Sequence, residues 1–320
     1  MRENIRNLPM RLKVFQMHFD VKYERLYAMN FKEIDFCPTM GKLNAKVVSA
    51  LLANGLFAGS EKAKSLLAAR YEQMKKNCGN VPHDDSRWNL DGVNADKKDK
   101  AALLPVPNDQ MGDCGVLVDQ LWIHPNFGHD MPTWMVKRGV KNPRRVMIVS
   151  QDPLRTNHKA GMLVLSTPFG FHSADYREVR CENAVLFRLV ERLVEESNVC
   201  VYLTDCRKFF TDDVLEGSRG RANFVRSHQR QYKPMFKRVL DAEMAVFAPD
   251  LVVTLGNDAA KYVGAESPQK GYRVQDVAGR DMIAAYHTGA YAFVLRRLVA
   301  IGGVHAYYEA VFNEIRRHLG

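Results

Sequence analysis

The sequence has no apolar run approaching the roughly 20 residues that cross a bilayer, so no membrane-spanning helix is expected. Its opening stretch, MRENIRNLPMRLKVF, carries basic residues but lacks the apolar core of a secretion signal. The six cysteines form no Cys-x-x-Cys pair and show no regular spacing, which argues against a disulfide framework. There is no internal repeat. These absences predict a cytoplasmic protein with reduced thiols and no association with a membrane.

What is present is a chain of 320 residues, 46% hydrophobic and 26% charged, a composition that suits a soluble globular protein with one large core or two smaller ones. The formal charge of +10 and the isoelectric point near 9.3 favour a polyanionic partner, most simply nucleic acid. A generally basic surface would give the same totals, so the distribution of charge matters. Arg219, Arg221, Arg226, Arg230, Lys233, Lys237 and Arg238 occur with no acid until Asp241. Phe224, Tyr232 and Phe236 are interleaved, a pattern suited to tracking phosphates while bases or sugars rest on aromatic faces.

The first 110 residues read as a mostly helical extension, with helices expected over 42–57 and 60–76 and a polar, broken stretch over 77–108. From about 111 to 320 the pattern alternates. Apolar runs at 146–149, 162–165, 199–204, 250–255 and 282–286 predict strands. Helical spacing predicts helices over 182–197, 234–247, 258–263, 291–300 and 304–319. Strands separated by helices imply right-handed crossovers and an α/β sandwich around a mainly parallel sheet.

Three strand ends then carry polar groups: Ser150-Gln151-Asp152-Pro153, Thr204-Asp205-Cys206-Arg207-Lys208 and Tyr286-His287-Thr288-Gly289. In open parallel sheets ligands bind beyond the carboxyl ends of the strands, so the three groups would converge on one mouth. A loop carrying Phe169 and Phe171 follows the second apolar run. Each feature also has a plainer reading: an Asp capping a turn, an Asp205 paired with Arg207 or Lys208, a His satisfied in the core.

As an ordered set, these residues resemble the uracil-DNA glycosylase superfamily. Ser150-Gln151-Asp152-Pro153 is similar to its Gly-Gln-Asp-Pro motif, and Tyr286-His287-Thr288-Gly289 falls where the family has His-Pro-Ser. Tyr202 to Asp205 looks like the strand whose final Asn reads the pyrimidine edge, and 250–259 resembles a structural strand and turn of the family. The resemblance covers roughly residues 115 to 320. It implies a three-layer α/β/α sandwich, hydrolysis of the base–deoxyribose bond after base flipping, and double-stranded DNA as partner. It further implies Asp152 and His287 as catalytic groups, and Gln151, Leu154, Phe169 or Phe171, and Asp205 around the base. DNA contacts would come from Lys208, Arg219, Arg221, Arg226, Arg230 and a wedge at Tyr291.

The sequence departs from the family at two informative places. Asp205 replaces the pyrimidine-reading Asn, and a carboxyl suits the N4 amino group of cytosine rather than O4 of uracil. Leu154 replaces a Tyr that walls off C5, leaving room for a substituent there. Together they point to a 5-substituted cytosine such as the glucosylated 5-hydroxymethylcytosine of phage DNA, on which a defence branch of the superfamily acts. Uracil repair, or DNA binding without catalysis, are the alternatives. The iron–sulfur branches need four Cys ligands, and the scattered cysteines here predict no cluster, metal or other cofactor.

Overall fold

Short apolar runs rich in β-branched residues form the centre of the molecule. The computed structural model describes residues 34–36, 104–107, 127–153, 162–171, 184–211, 229–268, 271–287 and 303–320. The helices expected over 42–57, 60–76 and 291–300 lie outside the described residues. The strands are β1 (Ile34–Phe36), β2 (Leu104–Pro107), β3 (Gly128–Asp130), β4 (Thr133–Lys137), β5 (Arg144–Ser150), β6 (Met162–Ser166), β7 (Val199–Asp205), β8 (Leu251–Leu255), β9 (Arg273–Asp276) and β10 (Asp281–Ala285). The helices are α1 (Ala184–Ser197), α2 (Gln229–Phe247), α3 (Asn257–Val263) and α4 (Gly303–Leu319).

The main sheet has seven strands in the order β1-β4-β7-β5-β8-β10-β9. Its four central strands, β7, β5, β8 and β10, run parallel, and antiparallel strands flank them on both sides. The sheet is therefore mixed rather than mainly parallel, within the expected α/β class. β6 forms as expected but belongs to a second, three-stranded sheet with β2 and β3. Two of these strands come from the first 110 residues: β1 extends β4, and β2 pairs with β6. A boundary near 110 thus separates strands that hydrogen bond to each other, and residues 31–320 form one compact unit. The signal for β2 is hidden because Pro105 and Pro107 fall within it, which only an edge strand tolerates.

Every described residue of β7 and β8 is buried. On one side, Met147, Val149, Tyr202, Val252 and Ala284 share a cluster with Phe236, Leu240 and Phe247 of α2 and Ala259 of α3. The alternate residues Val146, Ile148, Val201, Leu203 and Ile283 are also buried, and α1 and α4 pack on β7, β8 and β10 and on each other. Each such aliphatic side chain contributes about 1.5–3 kcal/mol when fully buried, so helices on both faces suit strands with no polar side.

α2 begins at Gln229, upstream of the expected start at Pro234, because an exposed proline this near the N-terminus removes only one intrahelical bond. That earlier start changes the meaning of the interleaved aromatics. Tyr232 and Phe236 lie one turn apart on the core face and are almost fully buried, whereas Lys233, Lys237 and Arg238 point outward. These two aromatics therefore belong to the core and do not offer faces to bases.

Candidate active site at the C-terminal strand edge

The parallel register sets the site. Ser150 is opposite Asp205, Val149 is opposite both Thr204 and Thr254, and Ala285 is opposite Leu255. The four central strands therefore finish at one edge, with Asp152 two residues past β5, Asp205 ending β7, and His287 two residues past β10. Backbone bonds extend the β5–β7 pairing beyond the strands: Cys206 N donates to Ser150 O (2.9 Å) and Arg207 N to Gln151 O (3.1 Å). The Cys206 thiol also donates to Gln151 O at 3.2 Å, and burial pushes this thiol up, so it remains protonated and acts structurally.

Asp152 is held from two sides. Gln151 Nε2 donates to Asp152 Oδ2 at 3.3 Å, and the Arg207 guanidinium donates to the same oxygen at 3.1 Å. Arg207 is almost completely buried and also donates to Asp258 Oδ2 at 2.6 Å, in the first turn of α3. A planar guanidinium bridging two carboxylates fixes Asp152 in direction as well as in charge. The Asp152 side chain is about 11% exposed, so solvent still reaches it.

His287 stands beside this carboxylate, with its Nε2 3.4 Å from Ser150 Oγ. Burial lowers its pKa against the opposing pull of Asp152, which favours a neutral imidazole. The ring has room because Gly256, just past β8, bears no side chain. A Cβ there would come within 3.2 Å of His287 Cβ, and its φ of +93° is closed to other residues without strain. Gly256 N donates to Ala285 O at 2.7 Å, tying the β8 turn to the end of β10.

The structure also separates the two candidate aromatics. Phe171 is fully buried, edge-on to Phe187 with centroids 4.8 Å apart, and so serves the core. Phe169 sits on the short 3-10 turn Pro168–Gly170, partly exposed, with its ring centroid 5.7 Å from that of His287. Its φ of +59° is uncommon for an aromatic residue, and strain of this kind concentrates at binding sites.

Among the described residues, Asp205 forms no ion pair with its basic neighbours. Arg207 goes to Asp152 and Asp258, and Lys208 goes to Thr204 and Glu243. No donor among the described residues reaches Asp205 Oδ2, which is sealed from solvent. Asp130, at the end of β3, is near enough for its carboxyl to act on Asp205. Burial, the Asp130 carboxyl and, more weakly, Asp152 raise the Asp205 pKa well above the usual carboxylate range, against the pull of Lys208.

Lys208, expected to contact DNA, does not reach the surface. It is fully buried, its ammonium pairs with Glu243 of α2, and Thr204 accepts from it at 2.7 Å. Turn position alone suggested exposure, but all of 206–211 is folded inward. Leu154, Arg219, Arg221, Arg226 and Tyr291 lie outside the described residues, and Arg230 is described only as backbone in the first turn of α2. Arg207 and Asp130 are the residues that sequence reasoning missed. Arg207 stood beside the Asp205 motif as a mere partner, and Asp130 ends a three-residue strand too short to register. The described cysteines Cys200 and Cys206 are buried thiols, Cys200 within β7 as expected. Comparison with protein-family models gives no match, and comparison with curated proteins finds no significant similarity.

Proposed function

We propose that the chain is a DNA glycosylase that hydrolyses the N-glycosidic bond of a flipped-out, 5-substituted cytosine and leaves an abasic site. The observation that carries this reading is the convergence of Asp152, His287, Phe169 and Asp205 on one strand edge. A helix-covered sheet of this kind is compatible with the three-layer sandwich of the uracil-DNA glycosylase superfamily.

The residue chemistry supports each step. As the base leaves, the sugar becomes cation-like, and the carboxylate of Asp152, aimed by Arg207 and Gln151, stabilises that charge and orients the attacking water. Negative charge grows on O2 of the base, where a neutral His287 donates a hydrogen bond. Phe169 stacks on the flipped base, a contact worth about 1–3 kcal/mol. Asp205 reads the N4 edge of cytosine, and a leucine at position 154 leaves space at C5 for a hydroxymethyl or glucosyl group. The basic stretch from Arg219 to Arg230 supplies phosphate contacts. A foreign base such as glucosylated 5-hydroxymethylcytosine makes an attack on cytosine safe for a host, which fits a role in defence against phage DNA.

Asp205→Asn tests the base reading. The amide can donate to O4 and accept from N3–H, so excision of the modified cytosine is expected to fall about 10- to 100-fold, the cost of one lost bidentate contact, while uracil excision appears. Unchanged excision of the modified cytosine, with no uracil released, would contradict Asp205 as the reader.

A further inference from the structure

His287 lies two residues past β10, where strand pairing has ended, so the backbone just before it needs other partners. α4 supplies them. Tyr286 N donates to Tyr307 Oη at 2.8 Å, and Tyr308 Oη donates to Tyr286 O at 2.9 Å. Tyr286 is buried, so both of these backbone groups require partners inside the protein. The sequence of α4 places the two hydroxyls. Its buried residues Tyr307, Tyr308, Val311, Phe312 and Ile315 form one helical stripe, and the tyrosines are its first two positions. Their rings meet edge-on with centroids 5.3 Å apart, and the Tyr307 ring lies 5.6 Å from that of Tyr286. Burial pushes the Tyr307 phenol up, so it stays neutral.

We propose that Tyr307 and Tyr308 are positioning residues that clamp the Tyr286 backbone and so aim the His287 imidazole at the departing base. The inference rests on the glycosylase reading and deepens it. The peptide bond between Tyr286 and His287 is planar, so holding the Tyr286 carbonyl fixes the plane that carries His287 N and Cα. The bond from Tyr286 N fixes the plane before it, and Gly256 N holds the Ala285 carbonyl of that same plane. What remains is rotation of the His287 side chain, which has Ser150 Oγ 3.4 Å from Nε2 and the Phe169 ring at 5.7 Å as neighbours. A donor stabilises growing charge on O2 only from the right place, and an error of about 1 Å costs up to about 100-fold in rate. Both hydroxyls bond to the backbone, so they act through His287 and not on the base.

Satisfying a buried backbone would by itself explain the same two hydrogen bonds. That explanation links the tyrosines to stability alone, whereas a clamp links them to the state of the His287 ring. Burial lowers the pKa of this ring, and Asp152 beyond β5 is the charged group that opposes the shift among the described residues. A ring released from the clamp gains water, which favours its charged form. Its pKa then rises toward the ordinary histidine value of about 6.5.

The experiment uses Tyr307→Phe and Tyr308→Phe in the full chain, each of which keeps the ring and loses only the hydroxyl. NMR titration of the His287 ring nitrogens, assigned by their loss in His287→Ala, should show the pKa moving up in both variants. Single-turnover base release from a duplex carrying glucosylated 5-hydroxymethylcytosine should fall about tenfold, with DNA affinity kept within about twofold. In the His287→Ala background the same changes should alter the residual rate by less than about twofold, because their effect passes through the missing ring. Tyr308→Phe, which frees a carbonyl rather than a buried N–H, serves if Tyr307→Phe does not fold. A His287 ring that titrates as in wild type in a folded variant overturns the clamp, and so does an equal loss of rate with and without His287. No base release by wild type overturns instead the glycosylase reading beneath it, and the ring titration still decides the clamp.

Discussion

Replacing Asp152 by Asn is expected to slow base release by about 10²- to 10⁴-fold while leaving the fold and DNA binding in place. Asn has the same shape, and its carbonyl still accepts from Arg207, so the local geometry is kept. What disappears is the negative charge 3.1 Å from the guanidinium and still reached by solvent. Asp258 remains to balance Arg207 at 2.6 Å, so no buried charge is left unpaired. Single-turnover release of abasic sites measures the effect, and titration of the same duplex measures binding. A loss below about threefold would remove Asp152 from the reaction.

The second large effect is on stability. Lys208 and Glu243 are both fully buried, and Glu243 Oε1 also accepts from Tyr202 Oη (3.0 Å) and Thr204 Oγ1 (2.8 Å). Their pairing joins β7 to α2 beneath the site, and His129 Nδ1 lies 2.6 Å from the Lys208 carbonyl. Glu243→Gln leaves the ammonium in the interior without its counter-ion, and such a change costs about 3–5 kcal/mol. Lys208→Met combined with Glu243→Leu removes both charges and should cost much less than Glu243→Gln. Urea unfolding midpoints of the three proteins check this. Equal losses would mean that the pair is exposed to water in solution.

The same pair shows where sequence reasoning fails. Lys208 follows a strand by three residues, a place where lysine is normally solvated, and its partner lies 35 residues away on a helix. Nothing local signals that contact. The placing of Asp130 near Asp205 is equally non-local, and β3 has only three residues to announce itself. By contrast, the cores of β5, β7, β8 and β10 were legible because strands covered on both faces are uninterrupted apolar runs. Asp152, Asp205 and His287 were legible for the same reason, as polar residues that end such runs. Tyr232 and Phe236 were misplaced for want of a helix start: once α2 extends back to Gln229, their spacing of four is that of a core-facing stripe.

The most direct measurement is a cleavage assay of the purified protein on duplexes containing uracil, cytosine, 5-hydroxymethylcytosine or its glucosylated form. Strand breaks after alkali report abasic sites, and Asp152→Asn serves as the control. The expected result is abasic sites in the modified-cytosine duplexes alone, lost in the control. Abasic sites confined to the uracil duplex, or DNA binding with no base release from any duplex, would contradict it.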